Sequence, residues 1–209
     1  MIKQESLKSS KTTLSIATGL IETEQLQTPR GDFILEMRDS ESGEVLHAFE
    51  KKNIITRDAG ILASYMFSTR ESARGLYMLS IGTGANGDLL NPIAPTNVQR
   101  RLNNEISRKA FSSIVYRDST GAISDVPTNI VDYTTTFTEA EAVGPLNEMG
   151  VISPINLNAG VQNHNPNAHP TYDTSVDIRD YDVLVNYLTF SVISKPSTAV
   201  LTITWRFTF

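Results

Sequence analysis

The chain of 209 residues has no cysteine, one tryptophan and three histidines. Without cysteine there are no disulfides, thiolate nucleophiles or zinc–thiolate sites. Charge of one sign is also lacking. The 18 Lys and Arg against 23 Asp and Glu leave a formal net charge of −5, so a general attraction to phosphate backbones, and hence a nucleic-acid partner, is not expected. Long apolar runs are missing too. The longest near the N-terminus, Leu14–Ile21, is broken by Ser, Thr and Gly and followed by acidic residues instead of a small-residue cleavage site. Neither a signal peptide nor a membrane span is expected.

What is present is mostly strand-like. Residues 1–30, rich in Lys, Ser, Thr, Gln and Glu, show no apolar period and cannot by themselves offset the entropy of ordering, so they read as an extended arm. Residues 31–209 are long enough to form a single domain with its own core. Phe33, Leu35 and Met37 alternate with polar residues, and a second run, Val45, His47 and Phe49, follows a turn at Gly43; this predicts a hairpin. Thr56 as N-cap, Asp58 in the first turn and apolar Ala59, Leu62, Tyr65 and Met66 predict a helix over about 56–68.

The runs 111–116, 131–138, 181–193 and 198–209 have strand character. In the last, Leu201, Ile203, Trp205, Phe207 and Phe209 alternate strictly with Thr202, Thr204, Arg206 and Thr208. "SKPST" (194–198) reads as a turn pairing the last two runs. Two stretches rich in Asn, Pro and Gly, about 82–100 and 156–180, read as long surface loops. The predicted fold is mainly β: an antiparallel β-sandwich with one α-helix, an N-terminal arm and two long loops.

Several patterns invite a chemical reading. Gly82, Gly84 and Gly87 in "SIGTGANGD" match G-x-G-x-x-G. A phosphate cradle, however, needs a helix starting at the third glycine, and Pro92 and Pro95 stand where that helix would run. These glycines therefore predict a structural turn with φ > 0, and no nucleotide cofactor. His164 and His169 share a loop with Asp173 and Asp177, but their spacing imposes no metal geometry. No G-x-S-x-G elbow occurs, and no Ser is placed by sequence beside a histidine.

Glu139/Glu141 and Asp180/Asp182 would each share a strand face, the pairing two catalytic acids need, although an acidic solvent face is the commoner use. Arg100, Arg101, Arg108 and Lys109 form a basic cluster with no interleaved aromatic, poor for nucleic acid and suited to an acidic neighbouring subunit. Arg30-Gly31-Asp32 matches a cell-adhesion tripeptide at the joint of arm and domain; a match this short is expected by chance. No catalytic, cofactor or metal residue is assigned.

The segments 51–67, 79–111, 131–153 and 188–209 together resemble a group of bacteriophage virion proteins: tail, tail-fibre and baseplate-associated structural proteins that also occur in prophages and phage-tail-like particles. The resemblance lies in the order of elements: a Lys-Asn-hydrophobic start leading into a helix, a Gly-Thr-Gly loop with prolines ending in Asn-Glu-x-x-Arg-Lys, a Phe-x-Glu-x-Glu strand followed by an x-Glu-x-Gly segment containing Glu148 and Gly150, and a closing Thr/aromatic strand. It covers about three-fifths of the chain and leaves out residues 1–30 and 156–180. It implies a non-enzymatic virion component, made in the host bacterial cytoplasm. Its partners would be copies of itself in a symmetric homo-oligomer and other virion proteins, with no nucleic acid or membrane. It also implies Gly82, Thr83 and Gly84 as a structural turn, and Glu105 with Arg108 as a loop-to-strand brace.

Two rival readings remain. In one, the chain is a receptor- or glycan-binding module of the tail, with Asn163, His164, His169 and Tyr172 as contact loop, or a head or neck decoration protein. In the other it is a hydrolase using Glu139/Glu141 or the His164/His169 loop.

Overall fold

The structure, a computed structural model, describes residues 29–68, 75–154 and 182–209. Two antiparallel sheets face each other. The first contains β1 (Arg30–Asp39), β2 (Val45–Lys52), β6 (Ser113–Arg117), β7 (Ile123–Ser124), β8 (Ile130–Phe137) and β11 (Ala199–Thr208), in the order β2-β1-β11-β8-β6-β7. The second contains β3 (Ile54–Ile55), β4 (Met78–Gly82), β5 (Glu105–Ala110), β9 (Gly144–Pro154) and β10 (Asp182–Lys195), in the order β3-β10-β9-β4-β5. Helix α1 (Asp58–Ser68) packs against β10. The expected antiparallel β-sandwich with one helix is what forms. Among the described residues no helix is long and apolar enough to cross a membrane.

The alternation read from the sequence is realised in β1 and β11, which pair along their whole length, from Arg30↔Thr208 to Asp39↔Ala199. Phe33, Leu35 and Met37 from one strand, with Leu201, Ile203, Trp205 and Phe207 from the other, are buried in the shared core. Phe33 meets Trp205 edge-on at 5.1 Å, and Phe190 of the opposite sheet stacks on Phe33 at 6.4 Å, so aromatic contacts bridge the two layers.

Two local expectations are corrected. The last two strands do not form a hairpin: β10 pairs with β9 and β3, whereas β11 pairs with β1 and β8 in the other sheet. The turn before Ala199 therefore crosses the sandwich. The physical reason is burial, since Val183–Phe190 is buried without interruption and suits the interior of a covered sheet, whereas β11 has one wet face. The helix begins at Asp58, and the Thr56 hydroxyl donates to the backbone carbonyls of Leu184 and Val185 in β10, fastening the helix entry to the sheet. On α1, Leu62 is buried and Ala59 partly buried, whereas Met66 is exposed.

Candidate functional site

The glycine loop is built around a buried carboxylate. Glu148 of β9 is fully buried. Its Oε1 accepts the N–H groups of Gly84 and Asn104, each at 2.8 Å, and its Oε2 accepts the N–H of Asn103 at 3.0 Å and the Tyr187 hydroxyl at 2.6 Å. Beside it, Asn147 Oδ1 accepts the Ala85 N–H at 3.0 Å. Of the glycine-loop amides, that of Gly84 is taken by Glu148, that of Ala85 by Asn147 and that of Thr83 by the Asn104 carbonyl, so the protein itself occupies donors that a phosphate loop would offer to a nucleotide. The Tyr187 phenol is pushed far above its ordinary value by burial, and next by the negative charge and hydrogen bond of Glu148. It stays protonated as a donor.

This geometry changes the role of two glycines. Of the three, only Gly87 has positive φ, at 97°. Gly82 and Gly84 are required by close approach: a Cβ would stand 2.7 Å and 2.6 Å, respectively, from Glu148 Oε1. Thr83 joins the same loop, its N–H donating to the Asn104 carbonyl at 3.0 Å and its hydroxyl accepting from the Asn104 side chain at 2.6 Å. Glu148 falls within the x-Glu-x-Gly segment of the resemblance, but no pattern of residues gave it a role. It lies in β9, which carries buried residues on consecutive positions and so shows no period of two.

The remaining polar candidates are drawn into internal pairs or scattered. Glu105 and Arg108 form a buried ion pair on β5, with Arg108 Nη2 donating to Glu105 Oε2 at 2.8 Å. Lys109 Nζ donates to Glu141 at 2.6 Å and to the Thr136 carbonyl at 3.0 Å. Glu139 and Glu141 do not share a strand face; they lie in the turn between β8 and β9, and Glu141 accepts the Thr138 N–H at 2.8 Å. Burial opposes the Glu141 charge, but the Lys109 and Thr138 hydrogen bonds outweigh it and hold the pKa below the ordinary value. The basic cluster is thus divided, with Arg100 and Arg101 exposed and Arg108 buried.

Arg30-Gly31-Asp32 opens β1 and is paired to β11. His47 lies on exposed edge strand β2. Asn163, His164, His169, Tyr172 and Asp180 lie outside the described residues. Asp182 starts β10. Among the described residues no group of three or more His, Cys, Asp or Glu is placed to hold a metal ion.

Two features with little ionisable chemistry face outward instead. The first is the tip of the loop between β4 and β5. Gly87 and Pro92 form a bridge, the Leu90 N–H donates to Asp88 Oδ1 at 2.7 Å, and the Ile93 N–H donates to the Asn86 carbonyl at 2.7 Å. The loop is then fastened along β10: the Val192 N–H donates to the Leu89 carbonyl at 2.8 Å, the Ser191 hydroxyl to that of Leu90, and the Thr189 hydroxyl to that of Ile93 at 3.0 Å. With the backbone held this way, Leu89, Leu90 and Ile93 are 58%, 65% and 63% exposed.

The second feature is a cavity of about 530 Å³ between α1 and one end of the sandwich. Ala59, Leu62 and Met66 line it from the helix, with Tyr133 and Phe207 from the first sheet and Val185 from the second. Among the described residues Tyr133, whose phenol burial pushes up and the nearby Tyr116 pushes further, is the one ionisable side chain in its wall. Such a wall can bind apolar groups but offers no acid–base pair or nucleophile.

No family model matches the chain, and no curated protein matches it.

Proposed function

We propose that the protein is a non-enzymatic structural component of a phage virion or related particle, in its tail, baseplate, fibre or neck. In this reading it assembles with copies of itself and other virion proteins through its apolar loop tip, its strand edges and its arm. The observation that carries the assembly role is the anchored tip. Three large aliphatic side chains are held out to water while their backbone carbonyls accept hydrogen bonds from the Val192 N–H and the Ser191 and Thr189 hydroxyls of β10, an arrangement that is costly in an isolated chain and useful once a partner covers it. The occupied glycine loop and the internally paired Glu105, Arg108, Lys109 and Glu141 support the non-enzymatic part. The virion assignment rests on the resemblance over residues 51–153 and 188–209.

The test is incorporation. Tail-like particles from the host, purified through a density gradient, should contain the chain in constant stoichiometry. A Leu89→Glu/Leu90→Glu variant should be left out of them while keeping the urea unfolding midpoint of the parent. Particles that form without the chain, or that take up the variant normally, would refute the assignment.

A further inference from the structure

The cavity beside α1 is open, apolar and adjacent to the point where an undescribed stretch of chain departs. Pro29, the first described residue, lines it, and residues 1–28 extend from there. Those residues include the run Leu14–Ile21, with Leu14, Ile16, Leu20 and Ile21 as its large apolar side chains. The cavity volume, about 530 Å³, falls in the range that accepts a few such side chains. We infer that this groove is the seat of the chain's own N-terminal run Leu14–Ile21.

Reach and chemistry both favour this occupant. Residues 22–28 separate the run from the groove rim, and seven extended residues span up to about 25 Å, enough to turn back across α1 or to enter the groove of a touching copy. A tether of that length keeps the run at an effective concentration on the order of millimolar. A second undescribed stretch, residues 69–74, falls in the sequence between Met66 and Gly75, which both line the groove. It reads Thr-Arg-Glu-Ser-Ala-Arg and brings charges, which an apolar wall rejects. Filling the groove would cover Met66 and Phe209, exposed at 46% and 52%, and would explain why four large aliphatic residues of an otherwise polar arm are gathered in the run Leu14–Ile21.

The chain contains no cysteine, so an engineered pair is the only pair that can form a disulfide. In the full-length protein, Ala17→Cys is combined with Ala63→Cys on the groove wall and oxidised under mild conditions. Ala17→Cys with Ser42→Cys, in the exposed β1–β2 turn, is the control. Cross-linking should be roughly tenfold faster in the groove pair than in the control, from the local concentration of a docked run. It should fall to the control rate when Leu20→Glu and Ile21→Glu are added.

A product of monomer size places the run in its own groove, and a product of dimer size in a neighbour's; both support the inference. It is overturned by equal rates for the two pairs, by insensitivity to the Glu substitutions, or by native mass spectrometry finding a small apolar molecule in the groove of a chain that does not cross-link. Because the readout is made on purified protein, its failure is distinct from failure of the virion assignment.

Discussion

Gly84 and Gly43 are both glycines in turns, yet they are needed for different reasons, and the same substitution separates them. Gly43 has φ of 72° and open space around its Cβ position, so Gly43→Ala should lower stability by about 1 kcal/mol, from left-handed strain alone. Gly84 has an ordinary φ, but its Cβ would stand 2.6 Å from Glu148 Oε1. Gly84→Ala should lower stability by more than about 2 kcal/mol in urea titrations, because the carboxylate and its four donors cannot yield independently. Equal losses would mean that the Glu148 cradle tolerates displacement.

The pH dependence follows from other residues. Burial works against the Asp132 charge, but hydrogen bonds from Arg206 and Arg117 outweigh it and hold the pKa below the ordinary carboxylate value. A carboxyl depressed in the folded state stabilises above its unfolded pKa of about 4, and that contribution is lost as the pH falls further. The Tyr187 phenol is raised, so its contribution is present below the unfolded value of about 10 and is lost above it. The urea midpoint should therefore drop on both flanks. Asp132→Asn should flatten the acid side and Tyr187→Phe the alkaline side.

Among the elements, legibility tracks the number of wet faces. β1 and β11 each bury one face and alternate, and both are evident in the amino-acid pattern. β9 and β10 are buried at successive positions. β9 includes Asn147, Glu148 and Gly150 within that buried stretch, so it shows neither an alternation nor a continuous apolar run, and its burial is understood only through the loop that supplies its hydrogen-bond partners. The crossing from β10 to β11 is secured by Lys195, whose Nζ donates to the carbonyls of Thr138 and Glu139 at 2.8 and 3.1 Å. Lys195→Met keeps the aliphatic stem but leaves both carbonyls without that donor. It should cost about 2 kcal/mol, read from the urea transition of Trp205 fluorescence, the single tryptophan reporting on the buried core.

For the molecule as a whole, the decisive pairing is the most distant one. Arg30 lies opposite Thr208, so the centre of the first sheet cannot close until nearly the entire chain is present. A chain ending at Lys195 loses β11 and with it Leu201, Ile203, Trp205 and Phe207 from the core. It should be unfolded by circular dichroism, and the full chain should refold on the millisecond-to-second timescale of non-local β topologies, measured by stopped-flow fluorescence.

Composition and periodicity determined that this chain is a β protein with one helix and no thiol chemistry, and that its glycine loop is not followed by a nucleotide-binding helix. Those conclusions need only local geometry: a period of two, prolines where a helix would run, an absent residue type. Tertiary structure alone decided that β10 and β11 part into different sheets, that Glu148 takes the Gly84 amide, that Leu89, Leu90 and Ile93 face water, and that an open apolar groove lies beside α1. Each depends on which distant backbone and side-chain groups meet, and no pattern along the chain records such meetings when the residues involved are buried on both sides or exposed by a loop held from elsewhere.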